Sequence, residues 1–433
     1  MSYSIKIPDT SLPRIVIVGG GFGGLTLARQ LKNKPFQVVL LDKHNYHSFP
    51  PLYYQIATAG LESYSIATPF RKIFEGQKNF VFRIAEVQGV DTATNTVRTN
   101  FGNITYTYLV IATGSTTNFF GMKDVEQHAM PMKTIPQALE IRHMLIENFE
   151  RAVNLDHRSD EQESLIDIVV VGGGPTGVET AGALAELRNH VLPDDYSEID
   201  FSLMDIYLIE LGPRLLPTMS EAASDKTKKF LEKLGVHVML NTGLVSYDGY
   251  RAVLNNGKSI LTTHLIYAAG VAGCVPDGFK AEAMARGKRL TVDEHLLVKG
   301  TSNVFAIGDV SAYTEPGKQS PLPMVAPVAI QMGEYLARYL KSGLPVDHPA
   351  FSYVDKGSMA TIGKHKAVVD MRYWKSQGML AWLVWMFVHL MSLVSFGNRV
   401  IVFFNWAQSY FSTDKRFRLI IKKEEVTQGS YKA

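Results

Sequence analysis

Arg14-Ile15-Val16-Ile17-Val18-Gly19-Gly20-Gly21-Phe22-Gly23-Gly24 decides how the chain folds. Four apolar residues run into glycines at 19, 21 and 24, spaced G-x-G-x-x-G, and a helical pattern follows with Leu25, Ala28 and Leu31 on one side. This is the pattern of a buried parallel strand turning into a helix whose N-terminus faces a pyrophosphate. Gly19 permits the tight turn, Gly21 lets the backbone approach phosphates, and Gly24 lets the helix pack on the sheet. The next apolar run, Val38–Leu41, ends in Asp42 and Lys43, and the Asp42 carboxylate is placed to accept from a ribose.

The same signature returns further on. Ile168–Val171 runs into Gly172, Gly174 and Gly177, a helical run follows from Val178 to Leu187, and the strand Ile206–Ile209 ends in Glu210. Two copies in one chain predict two separate dinucleotide units. An acid at the position of Glu210 accepts from both ribose hydroxyls and repels a 2′-phosphate, which favours NAD(H) over NADP(H). Arg214 either reaches such a phosphate or sits in a surface turn beside Pro213.

Between the copies, Tyr108–Gly114 reads as a third buried strand ending in small residues, and Ala138, Ile141, Leu145 and Phe149 predict a helix over 135–152. The stretch His44–Tyr54, with Pro50 and Pro51, cannot be a regular helix, and it is either an aromatic wall for a cofactor ring or an ordinary packed loop. After the second copy the chain returns to the first domain. Val304–Ile307 then ends in Gly308-Asp309, where the carboxylate either accepts from a polyol chain or closes a simple turn. A helix begins near 326 with Pro327 in its first turn, where a missing amide hydrogen costs nothing.

The 433 residues, 46% of them apolar, are enough for two or three domains. A formal charge of +3 gives no case for nucleic acid, and the single cysteine, Cys274, forbids an intrachain disulfide. Met1–Pro13 has no apolar core of a secretion signal, so the protein is expected in or facing the cytoplasm.

The tail differs from the rest. Residues 371–413 hold no Asp or Glu and all four tryptophans, at 374, 382, 385 and 406. Met379–Val394 is uncharged, and the run is broken by Gly397-Asn398-Arg399 before Val400–Phe404. Trp and Tyr favour the water–lipid boundary, and the basic residues Lys415, Arg416, Arg418, Lys422 and Lys423 suit anionic headgroups. A spanning helix needs about 20 apolar residues. The pattern predicts two helices lying in one leaflet, against a true span, a soluble core helix or a dimer interface.

Two dinucleotide units imply hydride transfer from a nicotinamide to a flavin. A redox cysteine pair is excluded as the next acceptor, and an apolar tail points to a lipid-soluble one, most simply a quinone. At this point the chain resembles the type II NADH dehydrogenases, the single-subunit NADH:quinone oxidoreductases, over roughly 13–425. The resemblance rests on IVIVGGGFGG (15–24), HNYHSFPPLYYQIATAG (44–60), VVVGGGPTGVETAGALAEL (169–187), FAIGD (305–309), FSYVDKGSMATIG (351–363) and AWLVWMFVHL (381–390).

The resemblance implies non-covalent FAD on the first unit, with Gly19, Gly21, Gly24 and Asp42 at its pyrophosphate and ribose and Gly308 and Asp309 near its ribityl chain. It implies NADH on the second, and a homodimer bound monotopically to the membrane without proton pumping. It places Glu179 near the nicotinamide–flavin contact and Lys356 beside the flavin on the quinone side. From the residues alone, Glu179 is equally a partner of a helix dipole and Lys356 a turn lysine. Where the family has Ala-Gln-x-Ala, this chain has Ala326-Pro327-Val328-Ala329, and Gln331 one turn on is the substitute for the missing glutamine.

The expected architecture is α/β. Two Rossmann-like domains, the second inserted in the first, cover 1–130 with 281–350 and 131–280, and 351–433 forms an amphipathic helical membrane anchor. Two rival functions share this core: a soluble flavin reductase feeding an iron–sulfur protein, and a membrane-associated NADH-sensing flavoprotein. Sulfide oxidation needs cysteines the chain lacks.

Overall fold

Ile15–Val18 and Ile168–Val171 contain only β-branched apolar residues, a composition that suits strands covered on both faces. In the computed structural model, which describes residues 5–156, 159–411 and 418–420, each is the central strand of a five-stranded parallel sheet.

The chain forms two compact units. The first comprises residues up to Ser48, Ala67–Asn118 and Gly270–Lys356, and the second Phe49–Ile66, Phe119–Ala269 and the chain from Gly357. The second is therefore inserted in the first, and the chain crosses at 48/49, 66/67, 118/119, 269/270 and 356/357. The chain from Gly357, expected as a separate anchor from 351, groups with the second unit, and the crossings at 118/119 and 269/270 stand in place of the expected 130 and 280. The reason is local. Ser115–Thr117 pairs antiparallel with Val271–Gly273, so the outgoing and returning strands zip together inside the first unit.

The helices that position the sites and form the tail are α1 (Phe22–Gln30), α2 (Tyr53–Ala57), α3 (Ile135–Ala152), α4 (Pro175–His190), α5 (Glu221–Lys233), α6 (Ala326–Lys341), α7 (Met379–Ser392) and α8 (Phe396–Phe411). The expected helix over 135–152 is α3, capped by the Thr134 hydroxyl on Gln137 N–H. Pro327 lies in the first turn of α6, as the sequence requires. The 44–54 stretch is a short strand (Tyr46–Ser48), a 3-10 turn (Pro50–Leu52) and then α2, so the two prolines stand before a helix rather than in one.

In the first unit the sheet order is Val304–Ala306, Tyr108–Ile111, Arg14–Val18, Gln37–Asp42, Phe80–Ile84. In the second it is Met130–Pro131, His264–Tyr267, Ile168–Val171, Ile206–Ile209, Val236–Met239. Register is set by the apolar runs: Val18 pairs with both Leu41 and Ile111, and Val171 with both Ile209 and Tyr267. The glycine turns thus leave each sheet at its carboxyl edge, the side on which open parallel sheets bind ligands.

The second unit ends in a three-stranded antiparallel sheet, Ser358–Thr361, Ala367–Asp370 and Lys375–Gln377, followed by α7 and α8. Among the described residues no helix is long and apolar enough to cross a membrane. The 14 residues of α7 reach about 21 Å against a hydrocarbon core of about 30 Å. One face of α7 exposes Leu380, Leu383, Phe387 and Met391, and the other buries Ala381 and Trp385. Trp374 is exposed and Trp382 half-buried, but Trp385 and Trp406 are buried, so the expectation that the tail's tryptophans mark a lipid boundary fails for these two. Of the basic tail residues, Arg418 pairs with Asp195 (Nη2 to Oδ1, 3.0 Å), whereas Lys415, Arg416, Lys422 and Lys423 lie outside the described residues.

Candidate active site

The first glycine turn is held from several sides. Gly19 has φ +102°, a region L side chains rarely adopt. Its N–H donates to the Leu41 carbonyl at 2.8 Å. Gly20 N–H donates to Asp42 Oδ2 at 2.7 Å and His44 N–H to Oδ1 at 2.8 Å, so the carboxylate ties the turn to the neighbouring strand. Burial raises the Asp42 carboxyl above its ordinary range, opposed by those two amides and by His44 and the exposed Lys43. A Cβ on Gly24 would lie 2.0 Å from the Gly19 carbonyl oxygen, whereas one on Gly21 would meet nothing within 4 Å. Gly24 is therefore required by packing inside the protein, and Gly21 faces open space.

That space adjoins a helix N-terminus without a side-chain cap. Thr134 and Ser220 cap α3 and α5, while α1 has Gly21 at its N-cap and no such oxygen. First-turn amides and the positive end of the helix dipole suit an anion there. The first turn of α6, likewise without a side-chain cap, lies alongside. A Cβ on Gly23 would be 3.1 Å from Ala329 O, and one on Gly308 3.1 Å from Ala329 Cβ. Asp309 accepts from Ser115 Oγ at 2.6 Å, which fixes its carboxylate at the same edge of the sheet. Glycine turn, acid, two helix N-termini and a second acid fit a dinucleotide.

The second unit repeats the first almost atom for atom. Gly172 has φ +111° and donates to Ile209 O at 2.8 Å. Gly173 N–H donates to Glu210 Oε2 at 2.6 Å, and Gly212 N–H to Oε1 at 2.7 Å. A Cβ on Gly177 would sit 1.8 Å from Gly172 O, and one on Gly174 would meet nothing. Arg214 donates to the carbonyls of Pro217 (2.7 Å) and Met219 (3.1 Å), so its guanidinium braces the turn.

Glu179, in the second turn of α4, is buried. Thr361 N–H (3.3 Å) and Trp385 Nε1–H (3.2 Å) both donate to its Oε1. Burial pushes its carboxyl up to about 8, and these two donors only partly offset that, so the acid is neutral at pH 7. On α2, the buried phenol of Tyr54 accepts from Gln55 Nε2 at 2.8 Å and is raised first by burial and second by the Glu179 charge. Gln55 Oε1 accepts from Trp406 Nε1 at 2.8 Å. His389 stacks on the Trp385 ring at 4.0 Å, and burial lowers it to about 4, so it is uncharged at neutral pH.

None of these residues was assigned to Glu179 from the sequence. One signal was present. Gly182 sits inside α4, where glycine costs about 1 kcal/mol relative to alanine. A Cβ there would meet the Ile362 backbone at 3.0 Å, so this glycine admits the segment that brings the Thr361 amide to Glu179.

Lys356 is exposed in irregular chain just before the strand Ser358–Thr361. Gln331 does not stand free as a substitute for the missing glutamine. Its Nε2 donates to Val354 O at 2.9 Å and its Oε1 accepts Val354 N–H at 3.0 Å, so both ends of the amide clamp the segment leading to Lys356. Of the sequence-derived residues, Gly308 and Asp309 join the first glycine turn, Glu210 joins the second, and Gln331 is brought to the Lys356 segment.

Comparison with known proteins agrees with this geometry. Residues 13–333 match the family model for pyridine nucleotide-disulphide oxidoreductases, and 356–413 match the NDH2 C-terminal domain. The chain is 36% identical over 416 residues, 92% of its length and 87% of the relative's, to the type II NADH:quinone oxidoreductase NdhA of Mycobacterium tuberculosis. It is 30% identical, over 91% of its length and 86% of the relative's, to the mitochondrial internal alternative NAD(P)H-ubiquinone oxidoreductase A1 of Solanum tuberosum. In structure it is similar to NDH2 of Plasmodium falciparum in complex with RYL-552, with a TM-score of 0.85 at 25% identity, covering 95% of this chain and 100% of that one.

Proposed function

The chain belongs to the type II NADH:quinone oxidoreductase family, so its activity is FAD-dependent oxidation of NADH with reduction of a quinone, and we propose how its own residues divide that work. The first unit holds FAD non-covalently. Gly19, Gly21 and Gly24 give the pyrophosphate an open cradle at the N-terminus of α1, Asp42 and Lys43 face the ribose end, and Gly308 and Asp309 hold the ribityl chain. When bound, FAD supplies the two-electron relay between substrates.

Gly172, Gly174 and Gly177 cradle the pyrophosphate of NADH in the second unit. Glu210, kept in place by the Gly173 and Gly212 amides, accepts from the ribose hydroxyls and repels a 2′-phosphate. Reduction of a quinone by two electrons also requires two protons. One arrives with the hydride of NADH, and Glu179, protonated at pH 7, is the source of the other. Lys356, in the first unit, stabilises negative charge on reduced flavin or quinone. Gln331 keeps the Lys356 segment in place through Val354. The exposed apolar face of α7 seats the protein in one leaflet, on the cytoplasmic face of the membrane, as a homodimer.

The observation that carries this reading is the duplicated cradle, in which each glycine turn is tied by its own acid. An anaerobic absorbance titration of the flavin tests it. NADH should bleach the oxidised band and a short-chain quinone should restore it at once. Bleaching without return would point to a protein acceptor or a sensor, and no bleaching in FAD-loaded protein would remove NADH from the second unit.

A further inference from the structure

Glu179 has two donors on one oxygen. Thr361 N–H and Trp385 Nε1–H both reach Oε1, at 3.3 and 3.2 Å. A neutral carboxylic acid has a single hydroxyl, and an oxygen already accepting two N–H bonds serves as its carbonyl end. The proton is thereby assigned to Oε2. The two donors differ in kind. Any residue but proline at 361 would present that amide, whose strand is fixed by pairing with Ala367. At 385 the tryptophan offers a ring N–H, whereas packing alone would accept phenylalanine or leucine in this buried slot of α7.

The indole is itself held. His389 stacks on it at 4.0 Å with the planes 22° apart and bonds the Trp385 carbonyl through Nδ1 at 2.8 Å. The titratable groups facing this cluster are Tyr54 on α2, whose phenol feels the Glu179 charge, and His389 on α7, which is neutral. The strand Ser358–Thr361 contributes none.

We infer that Trp385 is a positioning residue for Glu179: its indole N–H fixes Oε1 as the accepting oxygen and leaves the transferable proton on Oε2. This rests on the reading of Glu179 as a proton donor to the acceptor. The indole bond also favours the ionised carboxylate and so opposes the burial that raises it.

Infrared difference spectra across a pH titration of the FAD-loaded enzyme test the inference. The Glu179 carboxylic C=O band is assigned by its loss in Glu179→Gln. In Trp385→Phe the band should move to higher wavenumber, because the C=O has lost a donor. Its midpoint should rise by about one pH unit, a tenfold change in proton affinity expected for losing one N–H bond to a carboxylate. The pH profile of quinone turnover should move with it, with KM for NADH unchanged. Trp382→Phe, on the same helix without a bond to Glu179, should leave band and midpoint in place. Should Trp385→Phe fail to fold, the benzothiophene analogue of tryptophan at 385 keeps the ring and deletes only the N–H. An unmoved band and midpoint in either protein would overturn the inference. The band is read without quinone, so a shifted band in an enzyme that reduces no quinone would sustain the Trp385 assignment while sinking the quinone reading.

Discussion

Replacing Glu179 by glutamine should make the protein more stable, and by an amount that grows with pH. Burial raises this carboxyl from its ordinary 4.5 to about 8. Between those values the unfolded chain has released the proton and the native protein keeps it. Native stability must then fall as pH rises from 4.5, by about 1.4 kcal/mol per unit, and stop falling once pH passes about 8. The accumulated cost is about 3 kcal/mol at pH 7 and about 5 kcal/mol above pH 8. Glutamine copies the neutral acid in shape, still accepts from Thr361 and Trp385, and never ionises. For a chain of 433 residues the entropy of unfolding is about 0.9 kcal/mol per degree, so Tm of Glu179→Gln should exceed that of the wild type by about 5 °C at pH 9 and by almost nothing at pH 4.5. His264 and His389, both lowered to about 4 by burial, cost stability in the opposite sense as pH falls from 6.5, but they are common to both proteins and cancel in the difference. Differential scanning calorimetry of FAD-loaded protein without NADH, at unit steps from pH 5 to 9, gives the curve. A difference that is constant with pH, or that narrows as pH rises, would refute a protonated Glu179.

Three further outcomes follow from other parts of the molecule. Glu210→Gln removes the charge that repels a 2′-phosphate, though its single carbonyl oxygen keeps an acceptor for only one of the Gly173 and Gly212 amides, and should raise kcat/KM for NADPH relative to NADH by about 10- to 100-fold; an unchanged ratio in steady-state assays with both coenzymes would acquit Glu210. Lys356 is exposed, so Lys356→Met should shift stability by no more than about 0.5 kcal/mol, leave flavin reduction by NADH unchanged in stopped flow, and lower quinone turnover about tenfold; intact turnover would remove Lys356 from the reaction. Leu383 and Phe387 are 48% and 65% exposed, so the double change Leu383→Glu with Phe387→Glu should spare folding yet weaken sedimentation with lipid vesicles by about 100-fold or more; equal co-sedimentation would move the lipid contact off this face of α7.

The strands, the glycine turns and the acids that end the following strands could be read from the sequence because each depends on residues close together in the chain. Gly24 meets the carbonyl of Gly19 five residues earlier, and Gly177 meets that of Gly172, so spacing alone carries the geometry. The surroundings of Glu179 could not be read in this way. Thr361 is 182 residues away from it and Trp385 is 206, and neither belongs to a pattern that periodicity detects. The tail shows the same limit from the opposite side. Its composition identified an apolar, tryptophan-rich helix pair, but composition does not say which rings turn inward. Leu383 and Phe387 face out, while Trp385 between them faces in and spends its only polar atom on the one acid of the α4 second turn. Register alone thus sets which side chain of this 14-residue helix meets Glu179, and a shift of one residue would put the half-buried Val384 or Met386, neither with an N–H, in place of the indole.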